Sequence, residues 1–133
     1  MCAVKFTEKE LKFIQSLDLC RLATVYPDCR PHVVPVNYVF LEGKFYIGVD
    51  YESRKVRNIQ KNNKVALVID VYKPNRGILI EGEAALIDRG PEFKRVYSIF
   101  YERFIWVTRD PWDEGEAPFI VVTPLKKVSW GIK

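Results

Sequence analysis

HVVPVNYVFLEGKFYIGVDYESRKVRNI, residues 32–59, is the stretch that decides how this chain folds. Val34, Val36, Tyr38 and Phe40 recur at every second position, and so do Phe45, Ile47 and Val49. That period belongs to paired strands. Glu42-Gly43 separates the two runs as a hairpin turn, with glycine free to adopt positive φ. Beyond Asp50 the period changes. Val56 and Ile59 are spaced as on a helix, Ser53 is placed to cap it, and Arg54, Lys55 and Arg57 crowd its first turn. A helix start presents unpaired N–H groups and the positive end of a dipole, so cations there oppose the fold unless an anion arrives. The stretch therefore predicts strand, turn, strand and a helix whose start is a candidate phosphate site. A solvated run of charges is the plainer reading of the same residues.

Upstream, Phe6-Thr7-Glu8-Lys9-Glu10-Leu11 carries a helix start, with Thr7 as N-cap, Glu10 completing a capping box and Phe6 set to staple Leu11. Leu11, Ile14 and Leu17 continue it as an apolar stripe. Arg21–Val25 reads as a short strand ended by the turn residues Tyr26-Pro27-Asp28. Downstream, Lys61-Asn62-Asn63-Lys64 closes the basic helix. Val65–Ile69 is apolar on both faces, which predicts a strand buried on both sides. A turn over Lys73–Gly77 leads to a long strand, Ile78–Ile87, with Glu81 and Glu83 on one face. Gly90-Pro91 breaks it, and Phe93, Val96, Tyr97, Phe100 and Phe104 then recur at helical spacing as a stripe that needs burial in a core or an interface. Thr108–Pro118 is an acidic, turn-rich loop, and Phe119–Val122 and Lys127–Trp130 close the chain as two strands. Six or seven strands with few helices predict a mostly β fold, an antiparallel barrel with helices at its edges, formed as one domain over residues 1–133.

Composition narrows the function. The 133 residues are 48% hydrophobic with a net charge of +4, and basic and acidic residues alternate along most of the chain. Nucleic acid is not demanded, and an aromatic-and-basic surface for single strands is hinted at only by Tyr51 near Arg54. No apolar run reaches the length of a bilayer span, and MCAVKFTEKE lacks the apolar core of a secretory signal. Cys2, Cys20 and Cys29 form neither an even disulfide framework nor a metal spacing, so reduced thiols and a cytoplasmic location are expected. His32 is the only histidine, which rules out a multi-histidine metal site within one chain.

Taken together, RLATVYPDCRPHVVPVNYVF and SRKVRNIQKNNKVALVID resemble segments of the pyridoxamine 5'-phosphate oxidase-like, FMN-binding split barrel family. The first is similar to that family's strand, Asp-Gly-Arg-Pro turn and strand with a central Pro-Val. The second is similar to its phosphate-binding segment followed by a buried strand. Cys29 stands where the family usually has glycine, so a different turn type is expected there. The chain ends at Lys133, short of the C-terminal region with which larger members hold pyridoxamine phosphate, so that substrate does not carry over.

The resemblance implies a split β-barrel and a homodimer with FMN in clefts between the subunits. The isoalloxazine ring would lie against Val34, Pro35, Val36 and Asn37 and face Gly48, Val49 and Asp50, largely through backbone groups. Ser53, Arg54 and Lys55 would hold the phosphate, with Arg57 beside them and Asp50 toward the ribityl chain. Asn37 and Tyr38 are the candidates for tuning the ring, and Trp106, Trp130 and Tyr101 for covering it from the partner. The implied activity is hydride transfer to or from a small planar substrate, by FMN or by a deazaflavin coenzyme. A non-catalytic flavin carrier or sensor uses the same cleft. Haem binding is the further alternative, with His32 as its sole possible histidine ligand.

Overall fold

Thr7 opens the first helix as its sequence requires. Its hydroxyl accepts the Glu10 N–H at 3.1 Å, and its own N–H donates to Glu10 Oε1 at 2.9 Å. The computed structural model describes residues 4–133, so Cys2 lies outside the described residues. In chain order the elements are α1 (Glu8–Gln15), β1 (Leu19–Val25), β2 (Pro31–Asn37), β3 (Val39–Leu41), β4 (Lys44–Gly48), α2 (Arg54–Lys61), β5 (Lys64–Val71), β6 (Arg76–Ile87), α3 (Pro91–Arg103), α4 (Ile105–Arg109) and β7 (Phe119–Trp130). All strand pairings are antiparallel, in the order β2-β1-β5-β6-β7-β4-β3. The sheet curls until β2 and β4, far apart in that order, approach each other. The result is the expected mostly β split barrel, with seven strands and four short helices.

The run from Val34 to Phe40 is two strands rather than one. Tyr38 breaks it: its N–H donates to the Asp18 carbonyl at 3.0 Å and its hydroxyl to the Ile14 carbonyl at 2.5 Å. The chain thereby leaves β1 and joins β4, yet Tyr38 stays buried, so the period of two passes through the break. Tyr38 is a core residue beneath α1 and does not lie open beside a ring. Glu42 and Gly43 turn β3 into β4 with φ of 52° and 84°, the pair of positive angles of a type I′ hairpin.

Two cores share the sheet. One lies inside the curl, where Leu22, Leu67, Ile80, Phe45 and Ile120 meet Ile14 from α1 and Val56 and Ile59 from α2. The other lies outside β3, β4 and β7, where Val39, Tyr46, Phe119 and Val121 meet Phe93, Val96 and Phe100 from α3 and Val107 from α4. The aromatic stripe of α3 is therefore buried by its own chain, and it gives no reason for a partner. β5 is covered on one side only. Val65, Leu67 and Ile69 point into the inner core, while Ala66 and Val68 stay half-exposed because no helix covers that part of the outer face. The two strands expected at the C-terminus are one, bulged where Gly82 pairs with Pro124 and Glu81 with Lys126. A Cβ on Gly82 would stand 2.3 Å from the Thr123 carbonyl oxygen, so glycine is what permits the close approach.

α1 is fastened to β7 through one carboxylate. Glu10, 5% exposed, pairs with Lys127 and accepts the Ser129 hydroxyl at 2.8 Å. Burial alone would raise the Glu10 pKa, but the bonds from Lys127, the Thr7 backbone and Ser129, with the Lys127 charge, outweigh it and hold the carboxyl below its ordinary 4.5. A depressed carboxyl stabilises the fold fully above its unfolded value and loses that contribution as pH falls through the folded one. Glu10→Gln is expected to lose about 2 kcal/mol at neutral pH, between the values for exposed and buried pairs. In urea unfolding, the gap between wild type and variant should close as pH is lowered from 4.5 through the folded value.

Candidate functional site

At the start of α2 the local conflict predicted from the sequence is present. Ser53 occupies the N-cap, but its hydroxyl donates to the Asp50 carbonyl at 2.7 Å and does not cap the helix. No acidic residue lies in the first turn. Among the described residues Arg54, Lys55 and Arg57 make no ion pair. Burial lowers the Lys55 pKa from its ordinary value, and the Asp50 charge offsets only part of that. Uncapped N–H groups and cations outside any ion pair form a donor-rich corner, which matches a phosphate group.

The turn between β1 and β2 supplies the other wall. The Arg54 guanidinium lies 4.8 Å from the centroid of Tyr26, with Arg30 at 5.9 Å over the same ring. His32 meets Tyr26 edge to face at 5.7 Å. Behind them, the fully buried Asn58 donates from Nδ2 to the Thr24 hydroxyl at 3.0 Å, which pins α2 to β1. Tyr26, Arg30 and Asn58 escape a sequence reading of this corner. Tyr26 lies 28 positions before Arg54, and no local pattern pairs them.

Val36 packs against the inner core, Val34 lies on the same face opposite Leu22, Pro35 is exposed, and β2 is an edge strand. What this strand can offer a ligand is therefore mainly backbone, interrupted at Pro35 where an N–H is missing. Asn37 is held from both ends: Nδ2 donates to the Asp18 carbonyl at 3.0 Å, and Oδ1 accepts the Trp106 indole N–H at 3.0 Å. Trp106 stands on α4, an element the sequence reading missed, because five residues are too few to show a period. Across from β2, a Cβ on Gly48 would come 3.1 Å from Trp106 Cη2. Gly48, Val49 and Asp50 line a cleft of about 280 Å³ with Trp106, Asp110 and Trp112. Trp106 is thus placed beside the expected ring strands by its own chain. Tyr101 lines a separate groove on α3, and Trp130 lies across Gly77 on the outer face.

A family model described as pyridoxamine 5'-phosphate oxidase matches residues 6–128. The chain belongs to that family. It is 31% identical over 137 residues to the 5a,11a-dehydrotetracycline/5a,11a-dehydrooxytetracycline reductase of Streptomyces rimosus, spanning 96% of this chain and 84% of that one. Among solved structures it is similar to HutZ, the haem storage protein of Vibrio cholerae, with a TM-score of 0.80 at 20% identity over 94% of this chain and 95% of that chain. It is also similar to a FAD-binding protein of Mesorhizobium loti, with a TM-score of 0.70 at 15% identity over 90% and 87% of the two chains. At such identities the likeness is one of fold.

Cys29 is the position at which the sequence departs from the expected Asp-Gly-Arg-Pro turn. Cys29 adopts φ of 72°, the left-handed conformation that glycine takes easily, and its N–H donates to the Tyr26 carbonyl at 2.9 Å. Rather than avoiding that angle, the cysteine accepts it. Its thiol is exposed, whereas burial pushes the Cys20 thiol up to about 12 and leaves it inert. A side chain in this conformation costs about 1–2 kcal/mol, part of which glycine returns as unfolded-state entropy. Cys29→Gly should therefore stabilise the protein by about 1 kcal/mol, read as a rise in Tm of about 3 °C by calorimetry.

Proposed function

We propose that this chain binds a phosphorylated flavin as a homodimer and acts as an oxidoreductase on a small planar substrate. One observation carries the reading: the start of α2 is cationic, uncapped and outside any ion pair among the described residues, and it stands beside an edge strand that offers backbone groups. Ser53, Arg54 and Lys55 hold the phosphate, Asp50 faces the ribityl chain, and Val34, Pro35, Val36, Asn37, Gly48 and Val49 flank the ring. Bound there, the flavin supplies hydride transfer, while the protein supplies orientation and electrostatics. Membership of an oxidase family and the likeness to a reductase support redox chemistry over simple carriage.

The test is a set of titrations of apoprotein with FMN, riboflavin and a deazaflavin coenzyme, for wild type and Lys55→Ala. A charge-assisted bond to a partly shielded phosphate contributes about 1.5–3 kcal/mol. Lys55→Ala should therefore weaken FMN binding by about one to two powers of ten. Riboflavin should bind poorly and be indifferent to the substitution, and apoprotein stability should hold or rise as one crowded cation leaves. Tighter uptake of the deazaflavin than of FMN would assign that coenzyme, and a Soret band in the purified protein would move the assignment to haem. Equal affinities of wild type and variant for all three would return the cluster to a solvated surface.

The proposed dimer rests on the outer face of β1, β2, β5, β6 and the C-terminal half of β7. Val33 is 63% exposed and Val128 49%, with Leu79, Val68 and Trp130 on the same face. Exposed valines and Trp130 on a sheet face left bare by α3 and α4, interleaved with Arg21, Asp70, Glu81 and Lys126, suit a mixed apolar and polar interface. Sedimentation at micromolar concentration should give a dimer, and Val33→Asp with Val128→Asp should give a folded monomer that has lost flavin affinity. A wild-type monomer that still binds flavin would overturn this arrangement.

A further inference from the structure

The cleft of about 280 Å³ between α4 and β4 shares Gly48, Val49 and Asp50 with the proposed flavin site, and adds to them Trp106, Trp112 and Asp110, which the cofactor reading leaves unused. Its aromatic wall consists of Trp106 and Trp112, whose planes lie within 7° of parallel with centroids 6.2 Å apart. Both rings are braced. Trp106 is bonded to Asn37 and stacked on Phe104, while Tyr97 meets Trp112 edge to face at 4.8 Å and its hydroxyl accepts the Trp112 backbone N–H at 3.1 Å. At the rim stand Asp50 and Asp110, neither in an ion pair among the described residues. Lys55 lies close enough to feel the Asp50 charge, which leaves Asp110 as the unbalanced carboxylate. The floor is Gly48, where any side chain would press on Trp106.

We propose that this cleft is the substrate subsite and that it selects a flat, conjugated compound bearing a cationic amine. The walls are electron-rich indole faces, which attract cations and electron-poor rings. The rim carries negative charge, which favours the same ligands and repels carboxylates and phosphates. A phosphorylated flavin is anionic, so the acidic rim and the basic α2 start sort cofactor from substrate into neighbouring positions. The assignment deepens the flavin reading and rests on it for the placement of the substrate beside the ring.

Calorimetric titration of the wild-type chain with three acridines of one ring size separates the elements of the proposal. 9-Aminoacridine is a cation at neutral pH, acridine is neutral and acridine-9-carboxylate is an anion. Binding should fall in that order, with the cation about tenfold tighter than the anion. Asp110→Asn should weaken 9-aminoacridine about three- to fivefold, as expected for an exposed charge, and leave neutral acridine and FMN unchanged. Trp106→Leu should weaken cation and neutral ring alike by about tenfold. The titrations are repeated with saturating FMN. Undiminished acridine binding supports two adjoining sites, whereas displacement by FMN assigns the cleft to the cofactor and overturns the proposal. Acridine binding in the expected order by a chain that takes up no FMN would remove the flavin reading and leave the cleft's selectivity standing. Equal affinities for the three acridines, or no response to Trp106→Leu, would overturn the proposal whatever FMN does.

Discussion

The pairing of β4 with β7 is the constraint on which the rest of the molecule depends. Phe45 faces Val122 and Gly48 faces Phe119 across it, and the Val49 N–H reaches the Pro118 carbonyl at 3.3 Å just beyond. These partners are more than 70 residues apart, so the contact closes a long loop, and burial on both sides of the sheet is what offsets its entropy. Phe45 and Ile120 point into the inner core, while Tyr46 and Phe119 point into the outer one. The β4–β7 pairing carries the β3–β4 hairpin round to face β2, and it sets the end of β4 beside α4, where the cleft lies.

From that closure the positions of the functional elements follow. α2 begins six residues after β4 ends, and its start is held beside the β1–β2 turn by the Asn58–Thr24 bond and by Arg54 over Tyr26. α3 is tied to β4 by the Tyr46 hydroxyl, which donates to Glu92 at 2.6 Å, and α3 in turn seats α4 with Trp106 against Gly48. A basic corner and an acidic, aromatic cleft thus adjoin on one side of the curl. The bare apolar face of β1, β5 and β6 lies on the outside of the same sheet. The proposed cofactor site and the proposed dimer face are therefore both set by one sheet and its unequal covering.

The polar groups are arranged with matching economy. Glu10 is the one buried carboxylate in the core among the described residues, and it has partners from α1 and β7 on every side. The cations of α2 lack any such partners. A fold that satisfies a buried charge so completely at one end and leaves charges unanswered at another places its electrostatic tension where a ligand can relieve it.

Much of this was legible in residue order alone. The capping box at Thr7, the Glu42-Gly43 hairpin, the basic start of α2 and a mostly β plan of six or seven strands are local patterns, each enforced by a few neighbouring residues. The mid-run break at Tyr38 was not legible, because Tyr38 keeps the alternation while changing partners, and only the carbonyls of Ile14 and Asp18 reveal the change. The one-sided burial of β5 was hidden for a similar reason: apolar residues on both faces do not say whether a helix or a second chain covers one of them. Nor could the order of residues bring Asn37 to Trp106, or Gly48 to the same indole, since those contacts span about 60 residues and exist only once β4 has closed on β7. The sequence by itself determined the elements and the chemistry at the start of α2, through short-range patterns of period, cap and charge. Tertiary structure alone decided the cleft, because its walls come from segments that only long-range burial brings together.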